Sequence, residues 1–138
     1  MIRTVKWSLI AIAPLTFALA LPAPAQQGIT RTPLATSDFP AGFRTVLGRS
    51  EIPAGTCFER HTHPGLENFY VLEGEYDLFV GGQPAKRLKA GDSGQIPAGV
   101  PHHACTLTRM LVLTVLVLEK DKPLYTAWPK AASNAPAR

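Results

Sequence analysis

The sequence predicts an all-β domain built from short strands. After residue 25, no segment repeats its apolar residues with the 3.6-residue period of an amphipathic helix. Short stretches with strand-like patterns instead alternate with turns that contain Gly or Pro. The stretch of residues 110–118, MLVLTVLVL, is continuously apolar, as expected of a buried strand. Eight or so short strands separated by turns are typical of a β-sandwich or barrel.

Residues 1–25 are typical of a secretory signal peptide. Arg3 and Lys6 precede the apolar run WSLIAIAPLTFALAL, and Ala23-Pro24-Ala25 offers small residues where a signal peptidase cuts. We therefore expect cleavage after Ala25 and a periplasmic or secreted mature protein. The alternative is an uncleaved membrane anchor. The run is short for a span and no basic stop-transfer segment follows it, so we expect no stable membrane insertion after cleavage.

The composition of the mature chain disfavours several function classes. The chain has 14 Lys and Arg against 10 Asp and Glu, and loss of Arg3 and Lys6 would leave only a slight basic excess. These basic residues are scattered, whereas a nucleic-acid surface normally clusters them, so we expect no nucleic-acid partner. The mature chain contains no GxGxxG, GxxxxGK[ST] or CxxCH motif, which disfavours nucleotide cofactors and haem.

The mature chain divides into an arm, a barrel and a tail. Residues 26–40 are polar and read as an N-terminal arm, with residues 29–34 suited to pairing at a dimer edge. Residues 41–120 contain the predicted strands, and residues 121–138 form a tail that we expect to be disordered after Trp128. The strands are predicted near residues 43–52, 56–63, 67–73, 75–80, 85–89, 93–97, 102–107 and 109–118. Burial of MLVLTVLVL on both faces would need a second subunit or the arm on its outer side, so we expect a homodimer.

The residues with metal-binding chemistry lie in two stretches. In residues 55–74, His61 and His63 are two residues apart, so an extended strand places both imidazoles on one face. Pro64 and Gly65 favour a turn that can return Glu67 toward them. Residues 91–106 supply His102 and His103, and with these all four histidines of the chain are accounted for. Such mixed nitrogen and oxygen donors suit a divalent metal such as Fe, Mn, Ni or Zn.

These two stretches resemble the two cupin motifs. The pattern G-x5-HxH-x3,4-E-x6-G is matched by Gly55, His61, His63, Glu67 and Gly74. The pattern G-x5-PxG-x2-H-x3-N is matched by Gly91, Pro97, Gly99 and His102, whereas Thr106 replaces an Asn that is not a metal ligand. The resemblance covers roughly residues 43–118 and implies a single-domain jelly-roll β-barrel. It is specific for fold and metal but not for substrate or reaction.

The resemblance also implies a site. His61, His63, Glu67 and His102 would bind one divalent metal, with Fe(II) or Mn(II) preferred and Ni or Zn as alternatives, and leave two open positions. Glu59 shares the face of His61 and is a candidate catalytic base; the alternative is a rim carboxylate. Four further residues have predicted places: Tyr76 in the pocket or core, Phe69 and Val71 in an apolar wall, and His103 away from the metal.

A disulfide between Cys57 and Cys105 stays open at this point. An exported protein can keep disulfides. The resemblance implies that the two cysteines lie on neighbouring antiparallel strands, at nearly opposite positions. Strict alternation opposes the bond, because Cys57 shares the inward face of His61 whereas Cys105, three residues from His102, points outward. A β-bulge would remove the conflict.

The function expected from these observations is that of a metal-dependent small-molecule enzyme, dioxygenase-like or lyase-like. The alternative is a non-catalytic cupin that binds or senses a small ligand and has a structural metal; a metal-free scaffold is the third reading. A barrel of about eight strands encloses room for one small ligand. The shortage of acid–base residues disfavours a sugar epimerase.

Overall fold

The computed structural model describes residues 28–128, which form ten β-strands and no helix. None of these residues belongs to a helix long and apolar enough to cross a membrane. In chain order the strands are β1 (Thr30–Ser37), β2 (Phe43–Ile52), β3 (His61–Thr62), β4 (Gly65–Glu73), β5 (Glu75–Val80), β6 (Lys86–Lys89), β7 (Ser93–Ile96), β8 (His102–Thr106), β9 (Met110–Glu119) and β10 (Thr126–Ala127).

The strands form two five-stranded sheets, with every pairing antiparallel. The first sheet has the order β1-β2-β9-β4-β7, and the second has the order β10-β3-β8-β5-β6. Strand β9 lies at the centre of the first sheet and pairs along its whole length with β2. This architecture confirms the prediction of an all-β jelly-roll barrel.

The hydrophobic core lies between the two sheets. Alternate residues of each strand point inward, and both sheets contribute large apolar side chains. The buried residues that form this core are Ile52, Phe69, Val71, Tyr76, Leu78, Leu88, Ile96, Met110 and Val112. Gly94 pairs with Phe69 across β4 and β7, and a Cβ there would lie 2.5 Å from the Phe69 ring, so the ring needs a glycine opposite it.

The apolar strand β9 is covered on one face only within a single chain. Its residues Met110, Val112 and Leu118 are buried against the core. Those that point to the other side, Leu111, Leu113, Val115 and Val117, are half-buried. The arm does not lie over them, because β1 pairs edge-on with β2, two strands away from β9.

Three sequence predictions concern the ends of the chain. The signal peptide over residues 1–25, with its cleavage site, lies outside the described residues, as do residues 129–138 of the tail. The segment of residues 29–34, which we expected at a dimer edge, lies for the most part in β1, and β1 pairs with β2 of its own chain. The beginning of the tail is ordered into a strand, since β10 pairs with β3.

Cys57 and Cys105 are joined by a disulfide. His61 lies opposite His102, and Cys57 lies opposite Cys105, so five residues of one segment, 57–61, face four of the other, 102–105. One extra residue between Cys57 and His61 is a β-bulge. The bulge turns Cys57 to the same side as Cys105, and it also shortens the strand expected over residues 56–63 to His61–Thr62.

Candidate metal centre

The four predicted metal ligands lie where the chain crosses from one sheet to the other. His61 belongs to β3 of the second sheet, and Glu67 belongs to β4 of the first. His63 lies in the short connection between these two strands. His102 begins β8 and is the direct cross-strand partner of His61. The site is therefore built from both sheets of the barrel.

Gly65 makes this crossing possible. Pro64 cannot continue a central strand, and β4 starts at the next residue, pressed against β9. A Cβ on Gly65 would overlap the carbonyl oxygen of Val117, which is backbone and cannot swing aside. The glycine therefore lets the chain turn tightly after His63. Glu67, two residues after Gly65, is brought back toward the histidines.

The imidazoles are close together and partly shielded from solvent. His61, His63 and His102 can each offer one donor atom such that all three atoms lie within 4.8 Å of one another. The exposed fractions of His63 and His102 are 9% and 5%, and His61 is half-buried. His61 is thus the member of the cluster that remains partly accessible to solvent.

Each imidazole is oriented by a backbone carbonyl oxygen. Nδ1–H of His61 donates to the oxygen of Glu59 at 2.7 Å, and that of His102 donates to Val100 at 3.0 Å. Nδ1–H of His63 donates to the oxygen of Leu124 at 2.7 Å. A carbonyl oxygen can only accept, so the proton of each neutral ring is on Nδ1. The Nε2 lone pairs remain free, which is the state that a metal ligand requires.

Glu67 brings a carboxylate against these lone pairs. Its Oε2 lies 3.1 Å from Nε2 of His63 and 3.2 Å from Nε2 of His102. Burial raises the pKa of Glu67, but hydrogen bonds and charge interaction from His102 and His63, when these rings carry a proton on Nε2, outweigh burial and hold the pKa at about 2. The carboxylate is therefore charged at neutral pH.

The charge balance of the site fits a bound cation. With the ring protons on Nδ1, the buried Oε2 of Glu67 has no hydrogen-bond donor. A buried, charged oxygen that faces two lone pairs needs compensating positive charge. A divalent ion between the four donors would supply it, and three nitrogens with one oxygen are a donor set that Fe(II), Mn(II), Ni(II) or Zn(II) accepts.

The histidines respond differently to this environment. Burial lowers the pKa of His61 below its usual value. Burial also lowers the pKa of His63, but Glu67 and the Leu124 carbonyl outweigh that effect and raise it. In the absence of a metal, His63 can therefore bind a second proton, and its positive charge then compensates the negative charge of Glu67.

The remaining predicted site residues lie outside this cluster. Glu59 has an exposed side chain and reaches the site through its backbone oxygen, so nothing places its carboxylate among the histidines. Tyr76 belongs to the core, and burial raises the pKa of its phenol well above the usual value. Phe69 and Val71 follow Glu67 on its own face and are buried in the core. His103 stacks on Phe79 at 4.5 Å between ring centroids and takes no part in the cluster.

The sequence analysis missed the contribution of the C-terminal residues. Besides the Leu124 carbonyl on His63, the ring of Tyr125 lies 5.8 Å from that of His61, measured between centroids. These residues belong to the segment interpreted as a tail. The signal that could have found them is the pair Tyr125 and Trp128 in a stretch otherwise rich in Lys, Pro and Ala.

The comparison with known sequences agrees with the two motifs. The profile of the cupin domain family matches residues 48–116, half of the chain. The dimethylsulfoniopropionate lyase DddQ of Ruegeria pomeroyi is 37% identical over 65 residues, which are 47% of this chain and 32% of the lyase. The chain thus spans about a third of the length of this curated relative.

Solved structures share the fold. The crystal structure of that lyase has a TM-score of 0.60 at 26% identity, over 72% of this chain and 51% of the lyase. A cupin superfamily protein from Desulfitobacterium hafniense has a TM-score of 0.59 at 21% identity, over 80% of this chain and 94% of its own. With both motifs, the barrel and the family profile in agreement, this chain belongs to the cupin superfamily.

Proposed function

We propose that this protein is a metal-dependent cupin enzyme that carries out a lyase-type reaction on a small molecule at His61, His63, Glu67 and His102. The observation that carries the proposal is the cluster of three imidazole donors, two of which, Nε2 of His63 and Nε2 of His102, face the buried Oε2 of Glu67. We prefer Fe(II) or Mn(II) as the metal, with Ni or Zn as alternatives.

The chain's own residues prepare the site for this chemistry. The charged carboxylate of Glu67 offsets the charge of a divalent ion, and the carbonyl of Val100 fixes the ring of His102. Phe69 and Val71 exclude water behind Glu67. A divalent metal held there would act as a Lewis acid toward a substrate oxygen. The half-buried ring of His61 marks the side from which a substrate can enter.

The similarity to DddQ favours a lyase over a dioxygenase. An elimination of the kind that its name describes removes a proton from one carbon of a short carboxylate and breaks the bond from the next carbon to its leaving group. Such a substrate offers an oxygen for the metal and is small enough for the barrel. The similarity covers about a third of that lyase, so the substrate class belongs to the proposal.

One observation favours a second function, a non-catalytic barrel that binds or senses a small ligand. Among residues 28–128, no ion pair joins the three clustered histidines to a carboxylate other than that of Glu67. Glu59 is exposed and Tyr76 keeps its proton in the core, so neither is placed as a base. A binding function would need the metal but no proton acceptor.

The ligand set is tested by two neighbouring histidines. His102→Ala should lower the affinity for Mn(II) or Zn(II) by at least about tenfold, since it removes a ligand rather than an outer partner. His103→Ala is the matched control and should bind as the unchanged protein does, because His103 stacks on Phe79. Calorimetric titration and elemental analysis measure both. Full metal content in the His102→Ala protein would contradict the ligand set.

The reaction class is tested with dimethylsulfoniopropionate under nitrogen. Loss of a proton and cleavage of the carbon–sulfur bond would release dimethyl sulfide and acrylate, which gas and liquid chromatography quantify. We expect turnover by metal-loaded protein, none after chelation, and recovery on adding Fe(II) or Mn(II). In a parallel assay in air, turnover of a chelating phenol or dicarbonyl that consumes oxygen would instead show a dioxygenase. Saturable binding without turnover of either class would favour the sensing function.

We further propose that two copies associate through the outer face of the first sheet. On β9, Leu113 and Val115 are half-buried in a single chain, and they are flanked by Leu47 on β2 and the 47%-exposed Tyr70 on β4. Arg49 and Asn68 also lie beside Leu113 and Val115, and an exposed apolar cluster with polar neighbours is typical of an interface. A second copy would cover it on the face that the arm leaves open.

Association is tested by sedimentation at micromolar concentration. The protein should sediment as a dimer, and Leu113→Glu should convert it to a folded monomer, because a buried charge opposes the interface. Leu107→Glu places the same charge on a 43%-exposed leucine outside this sheet and should leave the dimer intact. A monomeric unchanged protein would refute the proposal.

We also propose that the protein is exported and lies in the periplasm or outside the cell. The disulfide between Cys57 and Cys105 supports an oxidising compartment.

A chain that carries residues 1–25 should be recovered beginning at Gln26 and without free thiols. A chain started at Gln26 in the cytoplasm should have two reactive thiols. Its free energy of unfolding should be lower by about 2–4 kcal/mol, because the bond closes a long loop. Recovery of the uncut chain from the cytoplasm would contradict export.

A further inference from the structure

We propose that residues 123–128, here called the C-terminal segment, position the metal ligand His63, so that docking of this segment and metal binding strengthen each other. This inference rests on the proposed metal site but assigns a role to a part of the chain outside both cupin motifs.

The three imidazoles differ in where their orienting carbonyl comes from. His61 and His102 each donate to the carbonyl two residues earlier in the chain, Glu59 and Val100. These contacts form as soon as the local backbone forms. His63 donates to Leu124, which is 61 residues away in sequence. Its orientation therefore depends on a separate segment reaching the site.

Three further contacts hold the C-terminal segment in place. Thr126 pairs with Thr62 and Ala127 with His61, which makes β10 the edge strand beside β3. Beyond them, the backbone N–H of Trp128 donates to the carbonyl oxygen of Arg60 at 2.8 Å. The Tyr125 ring stands edge-on to His61. The segment thus runs along the strand that precedes His63.

The segment is weakly attached despite these contacts. Leu124, Tyr125 and Trp128 are 47%, 57% and 44% exposed, so they bury little apolar surface. A short edge strand with few buried contacts opens at low free-energy cost. When it opens, Nδ1–H of His63 loses its acceptor, and neither the ring angle nor the tautomer remains fixed.

The consequence for metal binding follows from the role of outer partners. Loss of a group that orients a histidine ligand typically lowers metal affinity about 10–100-fold. Because coupling between two equilibria is reciprocal, metal binding must favour docking of the segment by the same factor. Metal binding at the site would then increase the fraction of molecules in which the C-terminal segment is docked.

The test uses Zn(II) as the probe, because it has no redox chemistry and can be titrated by calorimetry. A chain that ends at Lys122 lacks the segment and should bind Zn(II) about 10–100-fold more weakly than the full chain. A chain that ends at Trp128 keeps the segment, is the matched control, and should bind as the full chain does. Thermal unfolding without metal should be similar for both, since the core lies between the sheets.

A substitution provides a second test that keeps the segment covalently present. Trp128→Pro removes the N–H that donates to Arg60, and it should weaken Zn(II) binding in the same direction. The protein without this substitution offers a direct readout. In a chain that starts at Gln26, Trp128 is the single tryptophan. The fluorescence of Trp128 should change on Zn(II) addition, with the same midpoint as the calorimetric titration.

The outcomes separate this inference from the proposed function. No Zn(II) binding by the full chain would overturn the metal site itself. Equal binding by the full chain and the chain that ends at Lys122 would overturn the positioning role and leave the metal site standing. Equal loss in the chain that ends at Trp128 would assign the effect to residues 129–138 and also overturn it.

Discussion

The structure depends on one electrostatic constraint, a buried carboxylate that faces imidazole lone pairs. Backbone carbonyls hold the protons of His61, His63 and His102 on Nδ1, so the nitrogens that face Glu67 have none to give. The charge of Glu67 would then be offset by a cation between the four donors or, without one, by a second proton on His63. Both sheets must be assembled before this arrangement exists, which ties the site to completion of the barrel.

The sequence predicted the fold well because the information was local. Gly and Pro punctuation marked most strand ends, and the spacing of His61, His63 and Glu67 around Pro64-Gly65 indicated that the three side chains would converge. The structure brings them together with His102. Pro64 and Gly65 indicated a turn at that position from the local sequence, whereas the close approach of Gly65 to the Val117 carbonyl became visible only in the structure.

The remaining features could not be predicted because they depend on tertiary contacts. Whether Cys57 faces Cys105 depended on a bulge that has no residue signature in this stretch. The exposed side chain of Glu59 differs from the inward position that strict alternation suggested, and the bulge lies in the same stretch. The acceptor for His63 comes from Leu124, and a backbone carbonyl has no sequence pattern at all.

The bulge between Cys57 and His61 has a mechanical consequence. A strand that slipped by one residue against β8 would point His61 away from His102. The covalent bond from Cys57 to Cys105 lies on the same pair of strands and forbids that slip. The alignment of these two candidate ligands is therefore set without an ion, by a covalent bond that neither acid nor chelation breaks. Reducing conditions would break this bond and make metal capture sensitive to the redox state of the surroundings.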